Sequence, residues 1–130
     1  MTAESTAAGR DVRILLVEDE PNMARSLARI LTRRGYTVAV ATNGQEALTH
    51  LAADRFQAMI TDLNMPVMDG ITLIRKLRER PNFKFTPILM LTTESHPERK
   101  QEGKAAGATG WLVKPFDPDQ LLATVGRVLG

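Results

Sequence analysis

The chain has 130 residues with 17 Lys or Arg against 15 Asp or Glu, a formal net charge of +2. This length suits one domain with its own core, and the hydrophobic (43%) and charged (25%) fractions are those of an ordinary globule, not a disordered chain. So small and scattered a positive charge gives no argument for nucleic acid, whose binders usually concentrate Lys and Arg on one surface, no apolar run approaches the ~20 residues of a bilayer span, and the lack of cysteine excludes disulfides and thiolate metal sites. Residues 1–11 are mainly Ala, Ser, Thr and Gly with charges and lack the apolar centre of a signal peptide. They read as a flexible leader to a domain over 12–130, and the expected setting is the cytoplasm.

Ile14-Leu15-Leu16-Val17 is a continuous apolar run, the signature of a strand covered on both faces. Pro21 then opens a helix, where its missing N–H is harmless. Met23, Leu27, Ile30 and Leu31 form the buried stripe of that helix and Gly35 ends it. Thr37 to Ala41 is a second, β-branched strand. Asn43 caps a helix that buries Ala47, Leu48 and Leu51. A third strand runs from Ala58 to Thr61 and ends at Asp62; after a loop to Asp69 a helix begins near Gly70, with Ile71, Ile74 and Leu77 inward. Pro87 to Leu91 is the fourth strand, Gly110 to Val113 the fifth, and Asp117 to Val128 a last helix with Leu121, Leu122, Val125 and Val128 at helical spacing. The segment Pro97 to Ala106 reads as a helix without a large apolar residue and with Gly103 inside it, so its docking should be weak. Strands alternating with helices predict an α/β, doubly wound, five-stranded parallel sheet with five helices, whose chemistry lies at the carboxyl ends of the strands.

Four polar clusters fall at those ends: Glu18-Asp19-Glu20, Asp62, Thr92-Thr93 and Lys114. Gathered carboxylates repel one another unless a cation sits among them, and an all-oxygen set suits Mg²⁺. A lysine and a hydroxyl facing the same point can stabilise a transferring phosphoryl group, for which an Asp carboxylate is an adequate nucleophile. Taken singly, each cluster has a plainer explanation: a helix start for the acids, a cap for Thr92, a surface lysine for Lys114. His50 and His96 lack metal-ligand spacing.

The ordered motifs V-E-D-E at the first strand, D-L-N-M-P-V-M-D-G from Asp62, L-T-T-E-S around Thr92 and G-W-L-V-K-P-F ending at Phe116 resemble those of response-regulator receiver domains, most closely the single-domain chemotaxis regulators of the CheY type. The resemblance spans Arg13 to Leu129. It implies the flavodoxin-like sheet order 2-1-3-4-5. It also implies that Asp62 is the phosphoacceptor, that Glu18, Asp19, Asp62 and the Asn64 carbonyl hold Mg²⁺, and that Thr92 and Lys114 bind phosphoryl oxygens. A cis Lys114-Pro115 bond is implied too. Asn64 and Glu94 match positions that tune the lifetime of the acyl phosphate. Trp111 stands where the family usually has Tyr or Phe, and Thr93 where it favours a very small side chain.

The expected partners are a histidine kinase as phosphodonor and, through a switch face of Trp111, Lys100 and Lys104, a flagellar motor switch protein or another signalling protein. No nucleic acid, no membrane and a monomeric state are expected, with catalysis limited to the chain's own phosphorylation and dephosphorylation. The alternative is a phosphorelay or phosphate-sink receiver without a motor target. A flavin module of the same topology needs a phosphate loop where this chain has acids, and an Asp-based phosphatase places a second acid where this chain has Asn64.

Overall fold

Five parallel strands carry the molecule, and each strand is followed by a helix. In the computed structural model, residues 12–65, 67–93 and 97–130 are described. The expected leader 1–11 lies outside them, as do Pro66, Glu94, Ser95 and His96. In chain order the elements are β1 (Arg13–Val17), α1 (Pro21–Arg33), β2 (Thr37–Ala41), α2 (Gly44–Ala53), β3 (Ala58–Asp62), α3 (Gly70–Arg78), a 3₁₀ turn (Pro81–Phe83), β4 (Ile88–Thr92), α4 (Pro97–Ala106), β5 (Gly110–Val113) and α5 (Pro118–Leu129). The sheet order is β2-β1-β3-β4-β5, which is the 2-1-3-4-5 order expected from the resemblance. The fourth strand begins one residue later than the apolar pattern suggests, because Pro87 has no N–H to give the ladder, and it runs on to Thr92, which pairs with Val113. The 3₁₀ turn, which the apolar pattern does not foreshadow, buries Phe83 beneath a proline at its first position.

Alternate residues of the central strands feed two cores. Leu15, Val17, Met59 and Met90 face one way, with Ala47 and Leu51 of α2 and Ile71, Ile74 and Leu77 of α3. Ile14, Leu16, Ile60, Leu89 and Leu91 face the other way, with Leu27 and Leu31 of α1 and Leu121 and Val125 of α5. Each fully buried Leu or Ile contributes roughly 1.5–3 kcal/mol. The sheet is thereby held as a platform that fixes where the loops at its carboxyl ends begin.

Polar residues fix where the helices begin. Asn43 accepts from the Glu46 N–H at 2.9 Å, and Asp69 from the Thr72 N–H at 2.8 Å. Asp117 and Gln120 form a reciprocal capping box ahead of α5. Gly35, at φ +104°, turns the chain out of α1, as its position predicts. No helix among the described residues is long and apolar enough to cross a membrane.

Candidate functional site

The parallel registers bring four strand ends to one rim. Val17 pairs with Thr61 in β3, Asp62 with Leu91 in β4, and Thr92 with Val113 in β5. The residues that follow, Glu18 and Lys114, therefore stand beside Asp62. Lys114 is held there by its own N–H, which donates to the Thr92 carbonyl at 2.7 Å. The Lys114-Pro115 bond is cis.

One carboxylate oxygen each from Glu18, Asp19 and Asp62 lies within 4.8 Å of the others. Glu18 is 1% exposed and Asp62 7%, whereas Asp19 is exposed. The Lys114 ammonium is 3.3 Å from Glu18 Oε1 and 3.5 Å from Asp62 Oδ2. Burial pushes the Asp62 carboxyl above its usual value, against the lowering influence of Lys114 and of a hydrogen bond from the Asn64 backbone. The Glu18 carboxyl is likewise raised, first by burial and further by the Asp62 charge, with the Glu20 N–H and Lys114 opposing. A single ammonium thus leaves both buried acids undercompensated. The donor set fits a hard divalent cation: all oxygen, with two acids buried and one open to solvent that leaves room for water ligands.

Glu20, third in the acidic run, is not part of this trio. Its carboxylate turns back to cap α1, accepting from the N–H groups of Asn22 and Met23 at 2.7 and 3.2 Å. The rim opens into a cleft of about 430 Å³ lined by Glu18, Asp19, Met23, Ser26, Asp62 and Lys114, among others. Met23 and Ser26 were legible in the sequence only as helix residues; their place in the cleft comes from α1 starting directly beneath the acids. Gly70 is required close by, because a Cβ there would stand 2.4 Å from the Asp62 carbonyl and 2.9 Å from Leu63 Cα.

Thr92 is buried at the end of β4, and Thr93 after it is exposed. Asn64 is exposed two residues past Asp62. Glu94 lies outside the described residues. Trp111, on the edge strand β5, is 40% exposed, and the Lys100 ammonium of α4 stands 5.4 Å from its ring centroid. Lys100, Lys104 and Trp111 line a cleft of about 220 Å³. The structure therefore gathers Glu18, Asp19, Asp62 and Lys114 into one site and Lys100, Lys104 and Trp111 into another.

Residues 14–126 match the family described as the response regulator receiver domain. The response regulator MprA of Mycobacterium ulcerans is 41% identical over 118 residues, 91% of this chain and 50% of that protein. The chain thus spans about half the length of the curated relatives it matches. The chemotaxis protein CheY4 of Vibrio cholerae superposes with a TM-score of 0.89 at 49% identity, covering 92% of this chain and 99% of that one. The receiver domain of the sensor histidine kinase PA1611 of Pseudomonas aeruginosa holds a magnesium ion in its active-site cleft. It superposes with a TM-score of 0.86 at 30% identity over 93% of this chain and 99% of that one.

Proposed function

This chain belongs to the response regulator receiver domain family, and on that footing we propose that it is phosphorylated on Asp62 by a histidine kinase with Mg²⁺ and then presents an altered protein-binding face. The observation that carries the reading is the convergence of Glu18, Asp19 and Asp62 within 4.8 Å, with Lys114 3.5 Å from Asp62. Glu18, Asp19 and Asp62, with the Asn64 carbonyl, would hold Mg²⁺. The ion supplies neutralisation of the charge that builds on phosphoryl oxygens.

The ionised Asp62 carboxylate attacks phosphorus in line. A P–O bond to Asp62 forms as the P–N bond of the donor phosphohistidine breaks, and the leaving imidazole takes a proton. Lys114 pairs with one phosphoryl oxygen, and the Thr92 hydroxyl donates to another. The product adds roughly one to two negative charges at the end of β3, which draws Thr92 and Lys114 inward and shifts α4 and Trp111 between pre-existing positions. Asn64 and Glu94 are proposed to tune how long the acyl phosphate survives. Lys100, Lys104 and Trp111 form the proposed output face, suited to an acidic partner segment.

The likeness to CheY4 over nearly that protein's whole length supports a chemotaxis role with a flagellar motor switch protein as partner. The likeness to the receiver of a sensor histidine kinase supports the other reading, a phosphorelay or phosphate-sink receiver. Capture of the phosphorylated chain by motor switch protein or by a histidine phosphotransferase separates the two. The primary test is labelling by a small acyl phosphate in Mg²⁺: the wild type should be labelled and Asp62→Asn should not. Equal labelling of the variant at the same position refutes the proposal.

A further inference from the structure

Helix α4 is attached unevenly. Its C-terminal end is held by backbone-level contacts. Gly103 is buried so closely against β4 that a Cβ there would lie 2.1 Å from Met90 Sδ. The N–H groups of Gly107 and Ala108 both return to the Gly103 carbonyl, at 3.1 and 3.0 Å. Gly107 takes φ +119°, and a Cβ on it would come within 2.9 Å of the Arg78 side chain. Ala106 and Ala108 pack on the core. The N-terminal half, by contrast, holds no buried residue: Pro97, Glu98 and Gln101 are exposed, Arg99 and Lys100 half-buried, and it reaches Trp111 through the Lys100 ammonium.

Arg78, the last residue of α3, locks the held end. Its Nε and Nη2 donate to the Gly107 carbonyl at 3.1 and 2.7 Å, and its Nη1 donates to the Phe83 carbonyl at 2.8 Å. Among the described residues no carboxylate pairs with this guanidinium. Its charge is met by the Gly107 carbonyl just past the C-terminal end of α4, where a helix presents negative potential, and by the Phe83 carbonyl of the 3₁₀ turn. The planar fork ties α3, the 3₁₀ turn and the end of α4 together in a way that an ammonium, as a point charge, does not reproduce.

We infer that α4 pivots about its C-terminal end, that Arg78 is the positioning residue that holds the pivot, and that the N-terminal half carries the phosphorylation-dependent movement to Trp111. Thr92 precedes that half by a few residues and belongs to the Asp62 rim, while Arg78 and Gly107 sit near the opposite ends of the strands, beside Thr109, whose N–H donates to the Ile88 carbonyl. The site therefore pulls on the N-terminal end, and the clamp keeps the other end in place. The movement half of this inference rests on the phosphoacceptor reading above; the anchoring half does not.

Trp111 is the one tryptophan in the chain, so its fluorescence reports on Lys100 and α4 without labelling. The experiment compares the full chain with Arg78→Met and Arg78→Lys. The first readout is backbone amide exchange over residues 103–108 in the unmodified protein; the second is the Trp111 change on adding a small acyl phosphate with Mg²⁺. Arg78→Met should raise exchange over 103–108 at least tenfold, leave α1 and α2 within about twofold of wild type, and halve or abolish the Trp111 change. Asp62 labelling should be retained, and Arg78→Lys should fall between the two.

Wild-type exchange over 103–108 in both variants overturns the inference, as does an undiminished Trp111 change. Equal acceleration in α1 and α2 also overturns it, since that marks general destabilisation. Should Arg78→Met fail to fold, the same readouts on Arg78→Lys decide. Absence of labelling on wild-type Asp62 strikes the phosphoacceptor reading instead, and amide exchange alone then decides the anchor.

Discussion

The Lys114 ammonium is shared between Asp62 and Glu18, 3.5 Å from one carboxylate and 3.3 Å from the other. Both acids are buried and both are pushed toward the protonated form, so the lysine balances one charge of two. In Lys114→Met, phosphoryl transfer to Asp62 should fall about 100-fold, the usual loss of one preorganised donor to a transferring group. The same variant should gain more thermal stability from added Mg²⁺ than wild type gains, because the ion then takes the place of the Lys114 ammonium between the two acids. A melting series with and without Mg²⁺ checks this; equal gains would count against the shared arrangement.

The raised carboxyls set a pH dependence with a definite sign. An acid whose pKa is higher in the folded than in the unfolded protein binds more protons when folded, so its contribution to stability declines as pH rises from the unfolded value through the folded one. For Asp62 and Glu18 that decline starts near the ordinary carboxyl range, 3.8 and 4.5. In metal-free buffer at pH 8, Asp62→Asn should be more stable than wild type by about 1 kcal/mol, the low end of what an undercompensated buried polar group costs. The gap should close as pH falls toward 4, and added Mg²⁺ should reverse it by stabilising wild type alone. Denaturant titrations of the two proteins at matched pH read the difference directly.

Two glycines should respond in opposite ways to alanine. Gly70→Ala sets a methyl group against the Asp62 carbonyl at 2.4 Å and against Leu63 Cα, backbone atoms that cannot rotate away, and should cost about 1–3 kcal/mol. Gly126, inside α5, has nothing within 4 Å of the added methyl. Gly126→Ala should therefore stabilise by roughly 0.5–1 kcal/mol through helix propensity. Chemical denaturation of both variants tests the pair.

Val67, in the loop after Asp62, holds φ +75° with its side chain 78% exposed. A β-branched residue in the left-handed region is strained by about 1–3 kcal/mol, and exposure gives little packing in return. Val67→Asn should raise stability by about 1 kcal/mol, because Asn tolerates that conformation. No change in the denaturation midpoint would show that the loop relaxes around valine without strain.

Much of this architecture is legible in the sequence because the information is local. Ile14 to Val17 can be read as a strand covered on both faces, and Asn43 as a cap, without knowing any neighbour. The acidic rim follows from placing Glu18, Asp62 and Lys114 at strand ends, since parallel topology then brings them together. What could not be read depends on contacts across long separations. Gly103 looks like a weakness inside a polar helix until Met90 is seen against it. Arg78 looks like one more basic residue at a helix end, and nothing in its neighbourhood points to Gly107, 29 positions on. Glu20 is indistinguishable from Glu18 and Asp19 until the first turn of α1 claims its carboxylate.

The strand that ends in Asp62 occupies the middle of the sheet, and the one bearing Trp111 lies at its margin, with only β4 between them. At about 4.8 Å per hydrogen-bonded neighbour, the span from the strand of Asp62 to the edge strand is on the order of 10 Å. Under the proposed phosphorylation, a change at Asp62 has two rungs to cross, and the intermediate rung is the strand that ends in Thr92.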